Sequence, residues 1–236
     1  MWAIPISVRH VPAEPVLMVH GFASSFELNW RETGWVDLLS DAGREVIGVD
    51  LLGHGSADKP HDANAYDHVE DDIRAAMPEE GQVDAVGFSM GARILLGVAA
   101  AEPERFKSLI VSGIGAGVFA AGGSSDLADT IEHGSNDETS HIGRLFSQFA
   151  SGSGNDRKAL AAFLRRKTAR LTPEQVGRIT CPVLVVIGDQ DFALPVEPLV
   201  EAFPNAKLVV LKGTDHFATP KDFKFLDAAL HFLGAA

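Results

Sequence analysis

The chain has 236 residues, 46% of them hydrophobic, which is enough for one domain with a large core. A formal net charge of −12 argues against nucleic acid or an anionic membrane surface as partner. The single cysteine, Cys181, excludes an intrachain disulfide. Residues 1–11 lack the order of a signal peptide, and no stretch reaches the about 18 apolar residues of a bilayer span, so a soluble, cytoplasmic protein is expected.

In chain order, residues 4–10 read as a short edge strand, since Pro5 argues against a central one. Pro12 and Pro15 bracket a turn. Residues 16–20, Val-Leu-Met-Val-His, form a continuous apolar run of the kind buried on both faces of a sheet. A loop, 21–25, follows. Trp30, Gly34, Trp35, Leu38 and Leu39 give 30–42 helical spacing, with Gly43 as the stop. A strand at 45–50 runs into a loop, 51–60, that holds the tight turn Gly53-His54-Gly55, and a polar-faced helix spans 66–77. Residues 83–88 are a strand, 91–101 a small-residue helix closed by Pro103, and 106–112 a further strand.

From 113 to 173 the pattern changes. A Gly/Ser/Asp-rich piece at 122–129, helical segments at 142–150 and 157–170 and a Gly/Ser stretch at 151–155 read as a small helical cap inserted into the domain. The rhythm then resumes with a strand at 182–187, a helix at 195–203, a strand at 207–211 and a helix at 220–233. The expected fold is α/β, a mostly parallel sheet with helices on both faces, its core made of 1–112 and 174–236 and its cap of 113–173. In such a sheet ligands bind beyond the carboxyl ends of the strands.

Gly87-Phe88-Ser89-Met90-Gly91 lies between a strand and a helix and matches the Gly-x-Ser-x-Gly pattern of a nucleophile elbow. A serine on so sharp a turn needs neighbours without a Cβ, and at a helix start it faces free N–H groups that favour a developing anion. A serine hydroxyl needs a base, best a histidine, and an acid to orient it. Downstream, one strand runs into Gly188-Asp189-Gln190-Asp191 and the next into Gly213-Thr214-Asp215-His216, so each residue type stands just past a strand.

With these motifs, with His20-Gly21-Phe22 and with Asp50-Leu51-Leu52-Gly53-His54-Gly55-Ser56, nearly the whole chain from Val16 resembles the α/β-hydrolase superfamily. The likeness is to its small cap-bearing esterase, lactonase and meta-cleavage-hydrolase branch. The resemblance implies Ser89 as nucleophile, His216 as general base and Asp191 as the orienting acid, with Asp189 the rival. It implies an oxyanion hole made by the backbone N–H groups of Phe22 and Met90. His20 reads as a structural residue behind that loop. Two departures stand out. Leu52 occupies a position where the family often has arginine, and only fifteen residues precede Val16, so one or both strands of the usual N-terminal hairpin are expected to be missing.

Rival signals are weaker. Gly113-Ile114-Gly115-Ala116-Gly117-Val118 lacks the third glycine of a dinucleotide fingerprint, and the nine histidines show no metal-ligand spacing, so neither cofactor nor metal is expected. His133 and His141 read as surface residues and Cys181 as a small buried hydrophobe. Arg165, Arg166, Lys167 and Arg170 read as a solvated face, with a contact to a substrate carboxylate as the alternative. Phe192, Leu194 and Phe217, together with Val118, Phe119, Phe146 and Phe149 from the cap, are the expected apolar pocket. The expected activity is hydrolysis of small-molecule carboxylic esters with small, largely apolar acyl groups, by a monomer or homodimer. Lactone, thioester, carbon–carbon bond hydrolysis and perhydrolysis share the same triad, and a ligand-binding protein with negligible turnover is the alternative of another class.

Overall fold

The computed structural model describes residues 13–120, 125–152 and 154–236. Six strands, β1 (Val16–Val19), β2 (Val46–Val49), β3 (Val83–Phe88), β4 (Phe106–Ser112), β5 (Val183–Gly188) and β6 (Ala206–Leu211), form one sheet in the order β2-β1-β3-β4-β5-β6. Every pairing is parallel. β1, β3 and β5 are buried throughout, and β4 at all but one residue, because helices cover both faces. The edge strands β2 and β6 are half exposed. The edge strand expected at 4–10 lies outside the described residues.

The two-residue period of each strand splits the core into two layers. Val16, Met18, Val86, Phe88, Ile110, Leu184 and Val186 point to one face and pack on α1 (Trp35–Asp41) and the last helix, α9 (Phe223–Phe232). An aromatic group fills that layer, with Trp30–Trp35 centroids 5.1 Å apart and Trp35–Phe225 4.8 Å. Leu17, Val19, Ala85, Leu109, Val111, Val185 and Ile187 point the other way. They meet α2 (Glu70–Ala76), α3 (Met90–Ala101) and α8 (Glu197–Ala202).

Between β4 and β5 the chain builds α4 (Ser125–His133), α5 (His141–Ala150), α6 (Arg157–Arg165) and the short α7 (Pro173–Val176). Arg157 ties the first three together, donating to the carbonyls of Ile131 (2.6 Å) and Thr130 (3.3 Å) and to Ser147 Oγ (3.2 Å). At the amino ends of the central strands, Arg44 pairs with the buried Asp84 carboxylate. Asp84 also accepts from Ser108 Oγ at 2.5 Å, and Arg44 reaches the Leu233 carbonyl at 2.8 Å.

Several elements differ from the sequence reading. The helix expected at 30–42 is two pieces, a π-helical turn (Glu27–Arg31) and α1, separated by Gly34 at φ 86°. The break lets both Trp30 and Trp35 reach the same core layer. The helix expected at 66–77 starts only at Glu70, because Tyr66 ends a 3₁₀ turn (Ala63–Tyr66) and its hydroxyl donates to the Pro60 carbonyl at 2.6 Å. Within 122–129, read as a Gly/Ser/Asp-rich piece, residues 125–129 open α4. That helix buries Ala128 and Ile131 and is held from α6 by Arg165, 2.5 Å from both Asp129 and Glu132. The helix expected at 157–170 ends at Arg165, where Arg166 turns extended and lays its guanidinium over the Phe163 ring, 3.6 Å from the centroid. Among the described residues no helix is long and apolar enough to cross a membrane.

Candidate active site

The carboxyl ends of β1, β3, β5 and β6 meet at one rim. Ser89 follows β3 at φ 52° and ψ −114°, a strained conformation for a residue with a side chain. It is fixed by its N–H donating to the Ser112 carbonyl (2.8 Å) and its carbonyl accepting from the Arg93 N–H (3.0 Å). The two flanking glycines are required by close approach. A Cβ on Gly87 would lie 2.7 Å from Ala92 Cα, and one on Gly91 would run into the carbonyl oxygens of Val19 and His20.

His216 lies past β6, with Nε2 2.9 Å from Ser89 Oγ. Its Nδ1 lies 2.9 Å from both carboxylate oxygens of Asp191, which follows β5. Asp191 and His216 are each 3% exposed. Asp191 Oδ1 also accepts from the Ala193 N–H at 2.8 Å, so the carboxylate cannot swing away. The rival Asp189 is exposed and accepts from the Gly213 N–H at 2.7 Å. Asp215 caps its own turn through the Ala218 N–H. The structure therefore brings Ser89, His216 and Asp191 together and leaves Asp189 and Asp215 outside the chain of hydrogen bonds.

Phe22 and Met90 flank Ser89. Among the described residues neither backbone N–H is used by a protein acceptor outside the regular elements. The loop that presents Phe22 is anchored at both sides. Gly21 N–H donates to the buried Asn29 side chain at 2.9 Å, and Asn155 Nδ2 donates to the Ala23 carbonyl at 3.0 Å. Neither asparagine stood out in the sequence, since each acts through a fold contact and carries no motif. His20 is fully buried. Its Nε2 accepts from the Leu51 N–H at 3.1 Å and its Nδ1 lies 2.8 Å from the Gly21 carbonyl, an arrangement that fits the neutral ring, and burial lowers its pKa. Burial also lowers His54, to about 3, helped by His20 beside it. Burial opposes the ionised form of Asp50, but N–H donors from Ser56 and Phe26 outweigh it and hold this carboxyl below its ordinary value, bracing the same loop.

A cavity of about 560 Å³ opens over Ser89. Val118, Phe146, Phe192 and Leu194 line it, as the sequence reading expects. Phe149 and Phe217 line a smaller hollow of about 170 Å³ that Ser89 also lines, and Phe146 belongs to both walls. Phe146 stacks edge-on against Phe22, Phe192 and Phe217 with centroids 6.0, 5.8 and 5.6 Å away. Phe119 is a correction. In the 3₁₀ turn Ala116–Phe119 adjacent side chains diverge, so Val118 faces the cavity while Phe119 packs against the core and lines neither hollow. Arg166, expected on a solvated face, lines the larger cavity with Arg93. The end of α6 before Arg166 turns it inward, a feature that helical periodicity could not reveal. Burial lowers both guanidiniums, Arg166 to about 10.

The profile of the alpha/beta hydrolase family matches residues 16–224 of this chain. The protein belongs to that family. Among curated relatives of this alpha/beta hydrolase is the 2-hydroxy-6-oxo-6-(2'-aminophenyl)hexa-2,4-dienoic acid hydrolase of Metapseudomonas resinovorans, 28% identical over 262 residues, covering 97% of this chain and 88% of the relative. Among solved structures, the 2-hydroxy-6-oxo-6-phenylhexa-2,4-dienoate hydrolase of Rhodococcus sp. strain RHA1 superposes with a TM-score of 0.70 at 20% identity, covering 95% and 91% of the two chains. An esterase from a marine microorganism gives 0.63 at 20% identity, covering 93% and 95%. At such identities these two structures show the fold of the hydrolase. The relatives of the family member described here include meta-cleavage hydrolases and esterases, and the protein is an alpha/beta hydrolase enzyme.

Proposed function

We propose that this hydrolase cleaves carboxylic esters with small, largely apolar acyl groups through Ser89, His216 and Asp191. The observation that carries the reading is the unbroken hydrogen-bonded line from Asp191 through His216 to Ser89, each link 2.9 Å. With Nδ1–H directed at the carboxylate, Nε2 presents its lone pair to the serine hydroxyl. Ser89 Oγ attacks the ester carbonyl as its proton passes to Nε2. The Phe22 and Met90 N–H groups receive the oxyanion, and the start of α3 adds a favourable dipole. His216 returns the proton to the departing alkoxide, leaving an acyl-enzyme. Water then attacks, activated by the same nitrogen, and frees the acid and the serine. Two preset donors of this kind are worth about 10²–10³ in rate each. The test is hydrolysis of p-nitrophenyl butyrate by the wild-type protein and by Ser89→Ala. Near-total loss in the variant supports the reading, and equal rates overturn it.

A second reading is carbon–carbon bond hydrolysis of an acid-bearing diketone on the same triad. It is favoured by Arg93 and Arg166 on the wall of the apolar cavity, placed to meet a carboxylate, and by a relative whose name is that of a dienoic acid hydrolase. Turnover of 2-hydroxy-6-oxo-6-phenylhexa-2,4-dienoate faster than p-nitrophenyl butyrate would favour it.

A further inference from the structure

Behind the wall formed by Arg93 and Arg166 lies a second hollow, of about 340 Å³, between α2, α3 and the segment that follows α6. Five arginines line it, Arg74, Arg93, Arg166, Arg170 and Arg178, against one acid, Glu70. The protein as a whole carries −12, so this concentration of positive charge runs against the average of the chain. Arg74 is neutralised by Asp71 at 2.8 Å and Glu102 at 2.6 Å. Among the described residues the other four have no carboxylate within ion-pairing distance. Arg93 makes only long contacts, 3.4 Å each, with the carbonyls of Gly117 and Ala169. Arg166 donates to the Phe163 carbonyl. Burial is the main influence on Arg166 and disfavours its charged form; Arg93 adds to this, while the nearby carboxylates of Glu70 and Asp67 oppose it.

Arg93 and Arg166 are the partly buried members, and like charges held there are costly unless an anion answers them, while Arg170 and Arg178 stand exposed at the outer side. A single carboxylate carries one charge and two acceptor atoms. Four unpaired guanidiniums fit a phosphate-class anion better, with its larger charge and three or more acceptor oxygens. Arg93, Arg166 and Thr168 line both this hollow and the cavity over Ser89. An anion held here therefore shares wall residues with the cavity over Ser89.

We propose that the arginine-lined hollow binds the phosphate-bearing portion of an acylated substrate whose acyl end lies over Ser89. The inference rests on the ester-hydrolase reading for the reacting end. It assigns Arg170 and Arg178, which do not line the cavity over Ser89, as the outer residues of the anion site.

The test is calorimetric binding to the Ser89→Ala protein, so that no probe is consumed. The probes are S-butyryl-4'-phosphopantetheine, butyryl-coenzyme A and S-butyryl-pantetheine, which share the thioester and the arm; the first adds only a phosphate, and the second adds phosphates and an adenosine. The expected result is about tenfold or more tighter binding of both phosphate-bearing probes than of S-butyryl-pantetheine, in line with several charge-assisted hydrogen bonds. That ratio should shrink as salt is raised and fall toward one in a protein that also carries Arg170→Glu and Arg178→Glu. Displacement of butyryl-coenzyme A by inorganic pyrophosphate adds support. Equal binding of S-butyryl-4'-phosphopantetheine and S-butyryl-pantetheine, or a ratio that survives charge reversal, overturns the inference. Pyrophosphate binding without any difference between those two probes overturns its assignment to the substrate. Wild-type turnover of p-nitrophenyl butyrate is scored separately, so failure of the anion site and failure of the serine chemistry give different results.

Discussion

Replacing Asp191 by Asn tests the relay while keeping the side chain's shape. In the native protein Oδ1 accepts both the Ala193 N–H (2.8 Å) and His216 Nδ1 (2.9 Å), and Oδ2 accepts Nδ1 alone (2.9 Å). The Ala193 N–H dictates which way an amide would sit. Its oxygen must take the Oδ1 place, which puts the NH₂ where Oδ2 stood, facing Nδ1. The ring then does best with its lone pair on Nδ1 and its proton on Nε2, and a protonated Nε2 cannot accept from Ser89 Oγ. The positive ring formed during attack also loses its buried counter-charge. Together these predict a fall in kcat of about 10⁴, as the wrong tautomer costs serine hydrolases of this design. At about 1.36 kcal/mol per decade that is about 5.4 kcal/mol of transition-state stabilisation. The assay is p-nitrophenyl butyrate hydrolysis under saturating conditions, with Asp189→Asn as the comparison, expected within about twofold of wild type because exposed hydrogen bonds to loops contribute little. A loss below tenfold in Asp191→Asn, or a larger loss in Asp189→Asn, would refute the reasoning.

Three further outcomes are expected. Gly91→Ala drives a methyl group into the backbone oxygens of Val19 and His20, so soluble yield or melting temperature should fall sharply together with activity; a variant melting like wild type would show that the elbow tolerates a Cβ. Asp84→Ala leaves Arg44 charged and buried at the far end of the sheet and should cost about 3–5 kcal/mol in urea unfolding, with KM for p-nitrophenyl butyrate unchanged. His54, neutral when folded with a pKa of about 3 against 6.5 in the unfolded chain, binds its proton only on unfolding across that window. Stability should therefore decline as the pH falls from 6.5 toward 3, by about 1.4 kcal/mol per unit from this ring, and urea melts of His54→Phe should show a shallower decline.

Much of the site was legible because its residues sit in motifs whose chemistry demands local geometry. Ser89 needs glycines on both sides, and Asp191 and His216 each follow a strand that ends at the same rim, so strand order alone brings them near one another. The apolar strands were equally plain, since burial on both faces leaves a continuous run such as Val83–Phe88. What escaped depends on contacts distant in sequence. Nothing around Asn29 or Asn155 signals that they grip one loop. Arg166 lies in a basic run that reads as solvated until the extended turn after α6 is seen. The helix α4 hides behind a polar, Ser/Asp-rich start and exists through its packing and the clamp from Arg165. The missed α7 had a usable signal, because Thr172-Pro173-Glu174-Gln175 is a capping box with proline at the first helical position.

The hydrogen bond from Asn155 to the Ala23 carbonyl gives the segment leading into α6 a mechanical hold on the peptide beside Phe22. Ala23 is itself at φ 56°, a conformation that survives only while its neighbours enforce it. The peptide run that presents Phe22 is therefore pinned at Gly21 by Asn29 and at Ala23 by Asn155, so its shape depends on the helices inserted between β4 and β5 as well as on the sheet.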